Sequence, residues 1–344
     1  MFRVDLRSDT VTKPTATMRR VMFDAEVGDD VFGEDPSIRA LEERTAEVLG
    51  KEAALFVPSG TMANQISLAV IANTGSEIYC SEKAHIFNYE SGGISVIARA
   101  QLHTIPGDRG IFSAADVAKR LRPADDHFPV SRIIELENTM NGGGGAIWPL
   151  DMVAAHRELA NQHGMWIHLD GARLWNAAVG SGVREETWAS YADTVSVCFS
   201  KGLGAPVGSA IAGSRSFIEE AHRWRKRLGG GMRQAGIIAS GALYAIDHHR
   251  DRLHDDHQRA KRLAEELNQY DVIDVDMEGV QTNIVWLTFK DDSALTMMNA
   301  LKERGIGTIA FDGQRMRLVT HLDVDDEGID QALLAFRELL SATS

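Results

Sequence analysis

Apolar residues along this chain fall into two alternating rhythms. Short continuous runs rich in β-branched and aromatic side chains predict strands buried on both faces: Ala53 to Val57, Ile78 to Cys80, Ile133 to Leu136, Met165 to Leu169 and Val195 to Phe199. Ile94 to Ile97 has the same character and predicts another strand, and Val207 to Ala212 one more, open to an antiparallel placement. Between these runs apolar positions recur every three or four residues. Met18, Val21 and Met22 mark a short helix; Ile38, Leu41, Ala46 and Leu49 mark a second, opened by Pro36 and Ser37 and stopped by Gly50. Further helices are expected to about Ala72, over Met152 to His163 and over Ser214 to Leu228. Strand and helix in turn predict an α/β fold with a mostly parallel sheet and helices on both faces.

The rhythm changes near Tyr270. Asn283 to Phe289, Ala294 to Arg304, Met316 to Thr320 and Glu327 to Leu340 read as a small α+β domain. The first residues are polar and without helical periodicity as far as Pro14, so residues 1–15 are expected to be an extended arm, 16–248 a large domain and 249–344 a small one. The run Gly142 to Gly145 is expected to be a flexible turn near a sheet edge, since no dinucleotide fingerprint opens a helix there.

Composition narrows the function. At 44% hydrophobic and 25% charged, the chain has enough apolar material for a large core, and its net charge of -13 argues against nucleic acid or an anionic membrane as a partner. No apolar run reaches bilayer length and the first residues carry charge, which makes the cytoplasm the expected location. Two cysteines, Cys80 and Cys198, form neither a disulfide framework nor a zinc cluster. Histidines and aspartates crowd Asp247 to His257, but their spacing matches no zinc arrangement and predicts a solvated helix.

Candidate chemistry gathers at the ends of two predicted strands. Val195 to Phe199 runs into Ser200-Lys201-Gly202-Leu203-Gly204, which sets a lysine at a strand mouth beside glycines that let a planar ligand approach its amine. Met165 to Leu169 delivers Asp170 in the same way, at the place where open α/β sheets bind ligands. A surface lysine or a helix-capping aspartate would satisfy either stretch alone. The pair suits pyridoxal 5'-phosphate, which needs an amine for its aldehyde and an anion to keep its ring nitrogen protonated. Ser59-Gly60-Thr61 opens a helix and offers N–H groups to a phosphate, although simple capping explains it as well. His85 in a loop could stack on a flat cofactor or face solvent. The basic helix carrying Arg223, Arg225, Lys226 and Arg227 stands out against an acidic chain and suits an anionic ligand or a neighbouring subunit.

The motifs that carry these residues resemble one family along nearly the whole chain. Asp5-Leu-Arg-Ser-Asp-Thr-Val-Thr, Gly28-Asp-Asp-Val-Phe-Gly-Glu-Asp-Pro, Pro58-Ser-Gly-Thr-Met, His168-Leu-Asp-Gly-Ala-Arg, Ser200-Lys-Gly-Leu-Gly-Ala-Pro-Val-Gly, Gly229-Gly-Gly-Met-Arg-Gln and Arg317-Leu-Val-Thr-His are similar to the low-specificity L-threonine aldolases. These are fold-type I pyridoxal-phosphate enzymes of the β-eliminating lyase group, with a transferase-like large domain and a small C-terminal α+β domain.

The resemblance implies roles. Lys201 would bond the cofactor, Asp170 would pair with the ring nitrogen and His85 would stack on the ring and serve catalysis. Gly60 and Thr61 would hold the phosphate with help from Lys226 and Arg233 of a neighbouring subunit, and Arg173 would also contact the cofactor. Ser8, Arg173 and Arg317 would grip the carboxylate of an amino-acid substrate. The implied reaction is retro-aldol cleavage of L-threonine, L-allo-threonine and related β-hydroxy amino acids to glycine and an aldehyde, in a homo-oligomer with shared sites, at least a dimer and in the family a dimer of dimers.

One position departs. The family shows Glu-Asn-Thr-His-Asn where this chain has Glu137-Asn138-Thr139-Met140-Asn141, so Met140 is expected to shape the space for the β-substituent and to make activity on larger substrates such as phenylserine at least comparable with that on threonine. β-Elimination, racemisation, amino transfer and a non-catalytic binding module remain as rival readings, separated by product analysis and by cofactor absorbance.

Overall fold

The structure is a computed structural model and describes residues 2–341. Seven strands build the central sheet: β1 (Ala53–Val57), β2 (Glu77–Ser81), β3 (Gln101–Ile105), β4 (Ser131–Glu137), β5 (Trp166–Gly171), β6 (Thr194–Cys198) and β7 (Ser209–Gly213). Their order is β1-β7-β6-β5-β4-β2-β3, and every pairing is parallel except the two that β7 makes. The antiparallel run expected near Val207 is therefore β7. Helices cover both faces, so β6 is buried at all five positions and its apolar run needs no alternation.

Local chemistry fixes the helix ends. Asp35 accepts the backbone N–H of Ile38 at 3.0 Å, Pro36 sits in the first turn, and Gly50 ends the helix Pro36–Leu49 at φ 60°. Trp148, Trp175, Trp188, Tyr79, Phe56 and Phe199 are buried within the core about the sheet. Each contributes roughly 1.5–3 kcal/mol or more by leaving water.

A second sheet has four antiparallel strands: β8 (Ile273–Val275), β9 (Ile284–Phe289), β10 (Ile309–Ala310) and β11 (Arg315–Val319), in the order β10-β11-β9-β8. Its core takes side chains from the helices Leu253–Leu267 and Asp326–Ser341, and also Val4 and Leu6 from the other end of the sequence. Val4 and Asp5 pair in parallel with Ile306 and Gly307, so the polar arm is held as an extra strand of this small domain.

Three expectations are corrected. Ile94–Ala98 is one π-helical turn, not a strand, because burial falls on Ile94 and Ala98 while Val96 is 71% exposed. Gly142 to Gly145 is neither at a sheet edge nor loose. It follows interior strand β4, and a Cβ on Gly143 would stand 1.8 Å from the Arg109 carbonyl oxygen, so close packing against neighbouring backbone calls for glycine. The histidine-rich segment is only partly solvated: His249 is buried and donates to the Leu203 carbonyl at 2.7 Å, and His257 meets Asn176 Oδ1 at 3.0 Å. No helix of the described residues is long and apolar enough to cross a membrane.

Candidate active site

A cavity of about 280 Å³ opens at the carboxyl ends of the parallel strands. Gly60, Thr61, His85, Asp170, Arg173 and Lys201 all line it, so six of the residues singled out in the sequence meet at one place. Lys201 follows β6 in the turn after Cys198, and no described side chain takes up its amine by a hydrogen bond or ion pair. Asp170 comes from the end of β5, is 2% exposed, and accepts the Ala172 N–H at 3.0 Å and the Asn64 Nδ2–H at 2.7 Å. Gly60 begins the helix Gly60–Ile71, and a Cβ there would lie 2.8 Å from Cys198 Sγ. The missing side chain keeps the helix N-terminus open as a cradle of backbone N–H groups.

The other expected residues lie elsewhere. Ser8 caps the turn Asp9–Val11, its Oγ accepting from the Thr10 N–H at 3.2 Å. Arg317 stands beside the cavity on β11, 8% exposed, donating to Asn141 Oδ1 at 3.0 Å and to the Arg7 carbonyl at 3.3 Å while its Nε has no partner. Burial, with the like charge of Arg173, brings its pKa down to about 10. Lys226 and Arg233 sit apart: Lys226 lines a separate surface depression, and Arg233 pairs with Asp29 at 2.9 Å. Met140 does not shape the cavity. It is fully buried with its side chain against Gly110 and Gly143, because the loop after β4 turns that side chain inward.

Arg173 is committed more than the sequence suggested. Its Nε and Nη2 donate to both oxygens of Asp9 at 2.8 and 2.7 Å, in a pair that is almost wholly buried. Burial alone would raise the carboxyl pKa of Asp9, but Arg173 outweighs it and holds that pKa well below the usual range. The arm thus reaches the site through Asp9 rather than Ser8.

Sequence reasoning also missed a polar stripe beneath the cavity. Glu135 pairs laterally with His168 and His168 with Thr194; Glu137 pairs with Asp170 and Asp170 with Ser196. Laterally paired residues share a sheet face, so six polar side chains form two rows across β4, β5 and β6. The signal was present as Glu-Leu-Glu, His-Leu-Asp and Thr-Val-Ser at the ends of apolar runs.

Electrostatics there is crowded. Burial and the charge of Asp170 push Glu137 up to about 7 although it accepts the N–H groups of Asn141 and His85. Glu135, buried with neither carboxyl oxygen partnered, is raised well above the usual carboxylate range by burial and then by Asp170. Burial drives His168 down to about 4, so it is neutral. For His85 burial works against the charged form, but a 2.9 Å contact of its Nδ1 with Glu90 and the charges of Asp170 and Glu137 prevail and raise its pKa.

A family model for the beta-eliminating lyases matches residues 5–290. The chain belongs to that family. Among the family's curated relatives, low-specificity L-threonine aldolase 1 of Arabidopsis thaliana is 44% identical, covering 99% of this chain and 97% of its own length. The low specificity L-threonine aldolase of Escherichia coli K12 is 38% identical, covering 98% and 99% respectively. Among solved structures, threonine aldolase of Leishmania major superposes with a TM-score of 0.85 at 18% identity, over 98% of this chain and 99% of that one. The fold is thus fold-type I, as the α/β pattern and the family resemblance implied.

Proposed function

We propose that this chain is a low-specificity aldolase that binds pyridoxal 5'-phosphate and splits L-threonine, L-allo-threonine and related β-hydroxy-α-amino acids into glycine and an aldehyde. The observation that carries the reading is the facing of an uncommitted Lys201 amine and a fixed Asp170 carboxylate across one cavity at neighbouring strand mouths, beside the Gly60 cradle. These residues fit the cofactor's aldehyde, ring nitrogen and phosphate in turn. When bound, the cofactor supplies an electron sink for the pair released from the Cα–Cβ bond.

The chain's own groups do the rest. Asp170, its geometry set by Asn64 and Ala172, keeps a proton on a ring nitrogen. Thr61 and the backbone at Gly60 hold the phosphate at the positive end of a helix dipole. Arg173 spends Nε and Nη2 on Asp9, which leaves Nη1 for the substrate carboxylate, and Arg317 brings an unpaired Nε from the other side. His85, with Nδ1 on Glu90, has Nε2 left to take the β-hydroxyl proton. Lys226 and Arg233 are too far out to join their own site, and their position supports a second copy supplying them to its neighbour's phosphate. The division into arm 1–15, large domain 16–248 and small domain 249–344, and a cytoplasmic location, belong to the same reading.

Turnover tests it. Aldehyde and glycine should appear from L-threonine, L-allo-threonine and both L-phenylserine diastereomers, and vanish in Lys201→Ala. Ammonia and a 2-oxo acid without glycine would overturn it in favour of β-elimination.

A further inference from the structure

The stripe beneath the cavity has a lid, and the lid is one side chain. Asn64, on the second turn of the helix Gly60–Ile71, is 2% exposed and uses its whole amide. Its Nδ2 donates to Asp170 Oδ2 at 2.7 Å and to Glu90 Oε1 at 2.9 Å. Its Oδ1 accepts from Ser196 Oγ at 2.8 Å and from His168 Nε2 at 3.1 Å, while His168 Nδ1 meets Thr194 Oγ1 at 2.9 Å. The neutral His168 can donate at one nitrogen only, so the donation to Asn64 makes Nδ1 the acceptor of the Thr194 hydroxyl. Every hydrogen in the network then has one direction. A flipped Asn64 amide would set its Oδ1 against the carboxylate oxygens of Asp170 and Glu90, two acceptors that cannot donate to it.

Glu90 extends this unit to the other side of the cavity. Its Oε1 accepts both from Asn64 and from His85 Nδ1, whereas its Oε2 is buried without a partner. Fixing Nδ1–H on Glu90 leaves Nε2 as the basic nitrogen of His85.

We infer that Asn64 is a positioning residue which, directly and through Glu90, joins Asp170 and His85 into one hydrogen-bonded unit, so that the ring-nitrogen side and the ring-face side of the cofactor cavity are set together. The inference rests on the function proposed above and deepens it. The charged and titratable groups that face this unit are Glu135 and Glu137 from β4, His168 from β5, Cys198 at the end of β6, Lys201 after it, Tyr89 beside the His85 ring, and the Arg173–Asp9 pair. Three of the neighbours are acids, so a neutral amide with two donors is the group that can hold Asp170 charged without adding to the negative charge. An aspartate at position 64 would lose both donors and add a carboxyl.

Three variants test this on purified holoenzyme: Asn64→Ala, Asn64→Asp and the nearly isosteric Glu90→Gln. Measured are cofactor affinity, the absorbance of bound cofactor as a function of pH, the pH profile of aldehyde release and thermal unfolding. A hydrogen bond to a charged group corresponds to roughly a 10- to 100-fold effect, so Asn64→Ala should weaken cofactor binding by about that factor and displace the pH titration of its absorbance. Asn64→Asp should displace it further. Glu90→Gln removes the acid that supports the His85 proton, so the acid limb of the rate profile should move to lower pH. The double variant Asn64→Ala/Glu90→Gln should show less than the sum of the two effects.

An absorbance titration in Asn64→Ala like that of the unaltered enzyme, with additive effects in the double variant, would overturn the inference. Should Asn64→Ala not fold, an unmoved acid limb in Glu90→Gln overturns it alone. An unaltered enzyme that binds no cofactor defeats the proposed function instead, and the two failures are thereby told apart.

Discussion

Arg173 rises from the large sheet and Arg317 from the small one, and the two sides of the cavity treat a guanidinium differently. Arg173 is saturated on one edge by Asp9, and although burial opposes the charge, that carboxylate raises its pKa further. Arg317 has a carbonyl, one amide oxygen and an empty Nε, and burial lowers its pKa. Arg173 is therefore held in place by Asp9 before a ligand arrives, while Arg317 keeps a buried donor unmet. Under the proposed function, a substrate carboxylate would gain orientation from the first and strength from the second.

The comparison can be broken at several points. It fails at the root if chemistry does not depend on the large-sheet side: Lys201→Ala should lower aldehyde release by on the order of 10⁴-fold or more at saturating substrate. Next comes the division of labour between the arginines. Asp9→Asn strands a buried charge and should cost about 3–5 kcal/mol in urea unfolding. Arg317→Gln should cost about 1 kcal/mol or less, yet raise KM by about 10-fold or more. Equal losses of stability in the two variants would erase the contrast.

The pH dependence of stability sharpens it, since the large sheet holds groups that pull in opposite senses. His168 is depressed to about 4, so its contribution is present above the ordinary histidine value of about 6.5 and is lost as pH falls from there toward 4. Glu137 is raised to about 7, so its contribution is present below the ordinary value near 4.5 and is lost as pH rises through 7. Chemical denaturation of the apoprotein across pH should show less loss of stability as pH falls from 6.5 to about 4 in His168→Gln, and less loss as pH rises from 4.5 to about 7 in Glu137→Gln. The smallest effect is expected at Met140. Met140→Leu conserves volume in a packed site away from the cavity, so the ratio of phenylserine to threonine turnover should change less than about threefold and stability by under about 1.5 kcal/mol.

What the sequence made legible was the part written in short-range code. Apolar runs ending in Asp170 and Lys201 located both strand mouths, and the turn at Gly60 located the helix that closes the third side. What stayed hidden depends on lateral register. Glu135 looks like an ordinary polar residue until β4, β5 and β6 are laid side by side, and Asn64 and Glu90 do so until the helix Gly60–Ile71 is packed on that sheet; no spacing within one element reveals these contacts. The strand read at Ile94 failed for another reason: the four-residue stretch Ile94 to Ile97 is too short for periodicity to separate strand from helix. Met140 was misplaced because a resemblance assigns a position in the loop and not the direction of a side chain.

The extended arm has a consequence for how this protein is made. Arg3 donates to the Arg304 carbonyl, a contact between residues 301 positions apart, and the same arm carries Asp9 to Arg173 and Thr12 to the Lys201 carbonyl. On a ribosome the arm is made about 300 residues before its strand partner at Ile306 and Gly307. The large sheet can assemble while synthesis continues, but the arm must wait beside it without its final contacts. The arm's place in the site would then be set in a single late event, once the small domain has been made, rather than by degrees along the chain.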